Sequence, residues 1–185
     1  MNKAIDISKT MIKTERLLLR PFRETDLQDF NEYASVDGVG QMAGWMPHKN
    51  MEESKTILEM FIREKKTLAL EYSGKVIGSL GVEEYDEEQL PEFHDKYGRE
   101  IGYALSKDYW GKGLMPEAVK AVIRYLFDEM KLDFIICGHF TDNEQSKRVQ
   151  EKCGFQHYKL IKFETRYGIV KDSWASVIYR EEGLR

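Results

Sequence analysis

The residues with the clearest chemical potential lie in Trp110-Gly111-Lys112-Gly113-Leu114-Met115, after a β-favouring run and before the strongest helical stripe in the chain. Gly111 and Gly113 permit left-handed backbone dihedrals, so that successive N–H groups can converge on one anion. The following helix adds the partial positive charge of its N-terminus, and Pro116 suits that helix's first turn. A pyrophosphate is the group such a turn would hold, although two glycines also suit an ordinary strand-to-helix connection. A dinucleotide-binding Gly-x-Gly-x-x-Gly pattern would need glycine at Pro116, and a P-loop would need Gly-Lys-Ser/Thr. NAD and nucleoside triphosphates are therefore disfavoured.

Other chemistries find less support. Cys137 and Cys153 are too few for a disulfide scaffold and read as buried thiols. His48, His94, His139 and His157 are scattered, with no zinc-ligand spacing, so no metal site is expected. A net charge of -4 argues against a nucleic-acid surface. No apolar run reaches the ~20 residues of a membrane span, and the opening residues lack the apolar stretch of a secretion signal. A cytoplasmic protein with neither membrane nor nucleic-acid partners is expected, and a homodimer is compatible with the sequence. With 42% hydrophobic and 32% charged residues, the 185-residue chain suits a single domain, 1–185, with its core over 11–180.

Several elements must position the Gly-rich turn. Thr14 to Arg20 reads as a strand closed by Pro21, and Leu27, Phe30, Tyr33 and Ala34 mark a helix over Glu24 to Ala34. Asn50 and Glu53 form a capping signal for a second helix carrying Ile57, Leu58, Phe61 and Ile62. Lys66 to Tyr72 and Lys75 to Val82 are strands of a hairpin turning at Ser73-Gly74. An acidic loop, Glu83 to Asp95, precedes a strand over Arg99 to Ser106. After the turn, Ala118, Val119, Val122, Ile123, Leu126 and Phe127 form a helical stripe. Asp133 to Phe140 follows as a strand, Asn143 to Lys152 as a helix capped at Gly154, and Phe155 to Arg166 and Ser173 to Arg180 as closing strands. The expected fold is α/β, a mixed and mostly antiparallel central sheet of about seven strands flanked by about four helices.

Four segments in order give the chain a specific likeness: Thr14-Glu15-Arg16-Leu17-Leu18-Leu19-Arg20-Pro21, Glu100-Ile101-Gly102-Tyr103-Ala104-Leu105, Tyr109 to Ala118, and Asn143-Glu144-Gln145-Ser146 ahead of Glu151-Lys152-Cys153-Gly154-Phe155. The chain resembles the GNAT superfamily of acyl-CoA N-acyltransferases from Met11 to about Tyr179. Within it, the ribosomal-protein N-terminal acetyltransferases are the most similar branch. It departs from the superfamily pattern at Trp110, Met115 and Gln150; the last stands where many members carry a tyrosine general acid.

The resemblance implies acetyl-CoA as co-substrate and a primary amine as acceptor, most naturally a protein N-terminus. A polyamine or aminoglycoside acceptor, and a non-catalytic acyl-CoA-binding module, are the alternatives. It places the cofactor on Gly102, Ala104, Leu105, Trp110, Gly111, Lys112, Gly113, Leu114, Met115, Asn143 and Ser146, with no metal. Glu100 is the candidate general base, with a role as a solvent-facing or salt-bridged strand residue, for instance beside Arg99 or Arg20, as the other reading. Ser146 is the candidate donor to the departing thiolate. Asn143 is assigned to the cofactor through its amide, though both residues also suit a helix N-cap. Trp45, Met46, Pro47 and His48 line the expected acceptor cleft or pack in the interior.

Overall fold

A computed structural model describes residues 2–180. The strands are β1 (Ile12–Lys13), β2 (Leu17–Pro21), β3 (Thr67–Tyr72), β4 (Lys75–Glu83), β5 (Gly98–Leu105), β6 (Phe134–Phe140), β7 (Gln156–Glu164) and β8 (Val170–Tyr179). The helices are α1 (Leu27–Ala34), α2 (Met51–Glu64), α3 (Leu114–Asp128) and α4 (Glu144–Lys152). Seven strands and all four helices correspond to the expected segments, and the eighth strand is the two-residue β1, too short to leave a periodic signal. Among the described residues, no helix is long and apolar enough to cross a membrane.

One sheet of order β1-β2-β3-β4-β5-β6-β8-β7 runs through the molecule. The β5–β6 pair is parallel and the other six are antiparallel. Parallel neighbours need a crossover, and α3 supplies it. Its stripe Ala118, Val119, Val122, Ile123, Leu126 and Phe127 is buried against Leu80, Ile101, Ile135 and Cys137. On the opposite face α1 and α2 bury Phe30, Tyr33 and Leu58 with Ala69, Val76 and Ala104. Each face thus receives the apolar stripe of its own helices.

Local signals fix the connections. Ser73 and Gly74 both take positive φ, as a two-residue hairpin turn requires. Asn50 caps α2 by accepting the Glu53 N–H at 2.9 Å, and Gly154 ends α4 at φ 90°. The acidic segment after β4 is more than a solvated loop. Its Tyr85, Leu90 and Phe93 are buried with Phe134 and Ile136, Phe93 stacking on Phe134 at 4.3 Å.

The β5–β6 ladder begins at Gly98↔Phe134. A Cβ on Gly98 would stand 2.2 Å from the Phe134 ring, which is fully buried and cannot yield. Gly98→Ala should destabilise the protein by about 1–3 kcal/mol through overpacking. Urea unfolding monitored by circular dichroism measures it, and an unchanged midpoint would show that Phe134 has room to move.

Candidate active site

The cleft arises where β5 and β6 part. Their ladder stops at Ile101↔Cys137 after four pairs. From there β5 continues with β4 as far as Gly78↔Leu105, and β6 with β8 as far as Phe140↔Ser173. Residues 102–105 of β5 consequently have no strand on their β6 side. Backbone polar groups left this way take water or a ligand. The gap is the heart of a cleft of about 420 Å³. Gly102 meets nothing within 4 Å of where a Cβ would be, so a ligand can approach the strand closely there.

The Gly-rich turn forms one end of the cleft. Gly111 and Gly113 both have φ 74°, and Gly113 is the N-cap of α3 with no side chain to cap it. The first amides of a 15-residue helix therefore face the cleft with their donor capacity and dipole uncovered. Arg16 holds this turn in place. Its guanidinium donates to the Lys112 carbonyl at 2.9 Å and pairs with Glu117 at 2.7 Å, while Glu117 also accepts from Thr14 Oγ1 at 2.6 Å. An extended, polyanionic ligand with a narrow linear arm fits the combination of open strand and uncapped helix.

Of the residues assigned from the sequence, Glu100, Gly102, Ala104, Leu105, Trp110, Gly111, Gly113, Leu114, Met115, Asn143 and Ser146 all line this one cleft. Lys112 does not. Its ammonium lies over the Tyr109 ring at 5.0 Å, so the turn contributes its backbone there. Trp110 and Met115 use their side chains inwardly: the indole N–H donates to the Leu105 carbonyl at 2.8 Å, and Met115 is buried in the α3 core. Asn143 Oδ1 accepts the Ser146 N–H at 3.0 Å and its Nδ2 donates to the Met42 carbonyl at 3.2 Å. Both ends of that amide have protein partners, so Asn143 caps α4 and straps the 41–44 segment to it. Trp45 and His48 pack with Phe30 in the α1–α2 layer. The neighbouring Val39, Met42 and Ala43 line the cleft in place of the Trp45–His48 segment.

Glu100 and Ser146 stand on opposite faces of the gap. Glu100 shares its strand face with Gly102 and Ala104, and its Oε1 lies 3.3 Å from where a Gly138 Cβ would be. Arg20 is committed to Asp26 and Glu71 at 2.8 and 2.6 Å, and Arg99 points to the backbone of Lys3 and Gly98. Neither forms an ion pair with Glu100 among the described residues. Burial, helped by the nearby Glu83 and Asp86 carboxylates, pushes the Glu100 pKa up to about 7. The carboxyl is thus poised to exchange a proton near neutrality.

Across the gap, Ser146 Oγ lies 2.9 Å from the Tyr103 hydroxyl. Gln150, at the position where a tyrosine acid is common, is turned to structural work. Its Oε1 accepts from His139 Nδ1 at 2.8 Å, and its Nε2 donates to the Gly138 carbonyl at 3.0 Å and toward Cys137 Sγ at 3.2 Å. Tyr103 and His139, both of which line the cleft, were not singled out from sequence. Strand alternation around Ile101 and Leu105 marks Tyr103 as facing α3 and α4.

The model of the acetyltransferase (GNAT) domain matches residues 16–156, which include the turn, Glu100 and Ser146. The chain belongs to the GNAT acetyltransferase family. It is 32% identical over 159 residues to the uncharacterized N-acetyltransferase YoaA of Bacillus subtilis (strain 168), covering 82% of this chain and 86% of that one. A partial likeness, 30% over 84 residues, joins it to YdaF of the same organism, provisionally named a ribosomal N-acetyltransferase, across 45% of this chain and 42% of that one. The crystal structure of a GNAT-family acetyltransferase from Bacillus anthracis superposes with a TM-score of 0.80 at 26% identity, covering 94% of this chain and all of that one. As a GNAT protein, the chain is an acetyl-CoA-dependent N-acetyltransferase.

Two measurements probe the site's construction. Gly113→Val should abolish or strongly weaken coenzyme A binding, because a β-branched residue resists φ 74°. Unchanged affinity by calorimetry in a folded variant removes the turn from the site. Glu100→Gln should raise Tm at pH 8 and much less at pH 5. The carboxyl ionises at about pH 4.3 in the unfolded chain and at about 7 when folded. The stability its protonation gives is complete below the lower value and is lost as pH rises to the upper one. A neutral amide keeps that stability throughout, so a pH-independent difference between the two proteins would mean that the folded value is not raised.

Proposed function

We propose that the protein acetylates the α-amino group of a polypeptide N-terminus, such as that of a ribosomal protein, in the cytoplasm. The observation that carries this reading is the shape of the cleft beyond Glu100. There it is walled by Met42, Phe140, Ile161 and Phe163, and Met42 and Phe163 remain more than a third exposed. An amine reaching Glu100 can therefore be the end of a longer molecule that continues outward over an apolar rim. The partial likeness to YdaF agrees with that acceptor.

Acetyl-CoA supplies the acetyl thioester, and the chain's residues supply binding, orientation and proton handling. The amides of the Gly111–Met115 turn and of α3 take the pyrophosphate. The free inner edge of β5 at Gly102 to Leu105 takes the pantetheine arm and offers N–H groups to the thioester oxygen. An α-amino group with a pKa near ~8 is largely protonated at neutral pH, and Glu100 accepts its proton directly or through water. Ser146, on the other face of the gap, donates a hydrogen bond to the sulfur as that atom takes up the electron pair of the breaking C–S bond. Cys137 is unsuited to carry the acetyl group, since burial, chiefly, raises its pKa far above that of a free thiol.

Glu100→Gln should lower turnover at pH 7 by about 10²-fold or more, with coenzyme A affinity nearly unchanged. In the wild-type enzyme the rate should climb with pH and level off above about 7, where Glu100 is ionised. The penalty in the variant should shrink at high pH, where the amine loses its proton unaided. The assay is acetylation of peptides beginning with serine or alanine, followed by mass spectrometry, beside a polyamine and an aminoglycoside. Turnover of the small amines alone would sink the polypeptide acceptor, and coenzyme A binding without turnover of any would favour a binding module.

A further inference from the structure

Ser146 can assist a departing sulfur only if its hydroxyl hydrogen points into the cleft. A serine hydroxyl rotates freely and has one hydrogen and two lone pairs, so its direction is set by its neighbours. Tyr103 reaches Ser146 from β5 across the gap, its hydroxyl 2.9 Å from Ser146 Oγ and 3.3 Å from the Ser146 carbonyl. Two arrangements satisfy the 2.9 Å contact. Either the tyrosine donates and the serine hydrogen is free for another acceptor, or the serine donates and its hydrogen is consumed.

The surroundings decide between them. Burial, chiefly, pushes the Tyr103 hydroxyl well above the ordinary tyrosine range, so it keeps its proton at every working pH. Of the two Ser146 oxygens within its reach, Oγ at 2.9 Å is nearer than the carbonyl at 3.3 Å, so the tyrosine's single hydrogen goes to Oγ, with the Gln150 amide and the Cys137 thiol beside the phenol. Gln150 lies one helical turn beyond Ser146, but its amide is held by His139, Gly138 and Cys137. Tyr103 and Ser146 both line the cleft, where β5 has no strand partner.

We propose that Tyr103 is a positioning residue for acetyl transfer: by donating to Ser146 it turns the serine hydroxyl hydrogen toward the sulfur of the leaving coenzyme A. This rests on the reading of Ser146 given above. It assigns to a strand residue part of the task that the α4 position of Gln150 has given up. The tyrosine neither loses a proton nor touches the reacting atoms; it fixes which way a neighbouring donor faces.

The test is a double-mutant cycle in the full-length protein, measured on one peptide acceptor at saturating acetyl-CoA, with coenzyme A Kd and Tm recorded for each variant. Ser146→Ala should cut kcat by about tenfold, the low end of proton-donor effects. Tyr103→Phe should cut kcat several-fold while Kd stays within about twofold, and in the Ser146→Ala background it should have no further effect, the sign of two groups acting as one. Equal losses from Tyr103→Phe in both backgrounds would overturn the proposal, as would full activity of Tyr103→Phe beside an impaired Ser146→Ala. Full activity of Ser146→Ala would instead defeat the reading of Ser146 on which it depends.

A polyfluorinated tyrosine at position 103 keeps the shape and supplies the second readout. Once ionised it can only accept, which would turn the Ser146 hydrogen inward. Phenolate formation is followed by ultraviolet absorbance in the same samples, and kcat relative to wild type should fall as the phenolate forms; a constant ratio while it forms would mean a tyrosine that merely packs.

Discussion

Everything in this site depends on two neighbouring strands ceasing to hydrogen-bond. Parallel β5 and β6 share four paired positions and then separate, each still secured on its outer edge by an antiparallel neighbour. A sheet ordinarily closes such a gap, because every bare N–H or C=O inside a protein is costly. Here the separation is sustained from several directions. The Gly98–Phe134 contact anchors the paired end, Trp110 takes the Leu105 carbonyl at the open end, and Gln150 takes the Gly138 carbonyl on the far side. What remains unpaired along β5 is available to a linear ligand that can add its own polar groups to the strand.

A gap within a sheet gives access to both faces at once, which a surface groove on one face would not. Alternation places Glu100 on the α1–α2 side and Tyr103 with Ser146 on the α3–α4 side. A group that must lose a proton and a group that must be helped to depart can thus be served by different layers. The Glu100 carboxyl is desolvated beside other carboxylates, while the hydroxyl pair lies in the apolar packing of the opposite layer.

Much of this was legible from residue order. The α3 stripe, the Ser73-Gly74 hairpin, the α4 cap at Asn143 and the Gly111–Gly113 turn each depend on local rules, and each lies where those rules put it. What local rules do not give is what a side chain meets across the fold. Lys112 has the charge for a phosphate, and the fold sets its ammonium 5.0 Å from the ring of Tyr109, a residue of the cleft wall. Asn143 caps α4 as its type suggests, and its amide also donates to a carbonyl 101 residues distant. For Trp45 the residue type left cleft and interior both open, and it packs against the α1–α2 layer. Tyr103 was missed for the complementary reason: alternation gives its face, and only the tertiary meeting of β5 with α4 gives its partner.

The clamp from Arg16 to Glu117 and the Lys112 carbonyl joins parts of the chain about a hundred residues apart. The Gly-rich turn, proposed to hold the pyrophosphate, is thereby fastened to the start of β2, next to the two-residue outermost strand. Any ligand that orders the turn also tightens this seam, so its binding free energy adds to the resistance of the amino-terminal strands to fraying. A rise in the protection of the Arg16 and Leu17 amides against hydrogen exchange would then report occupancy of a pocket that neither residue lines.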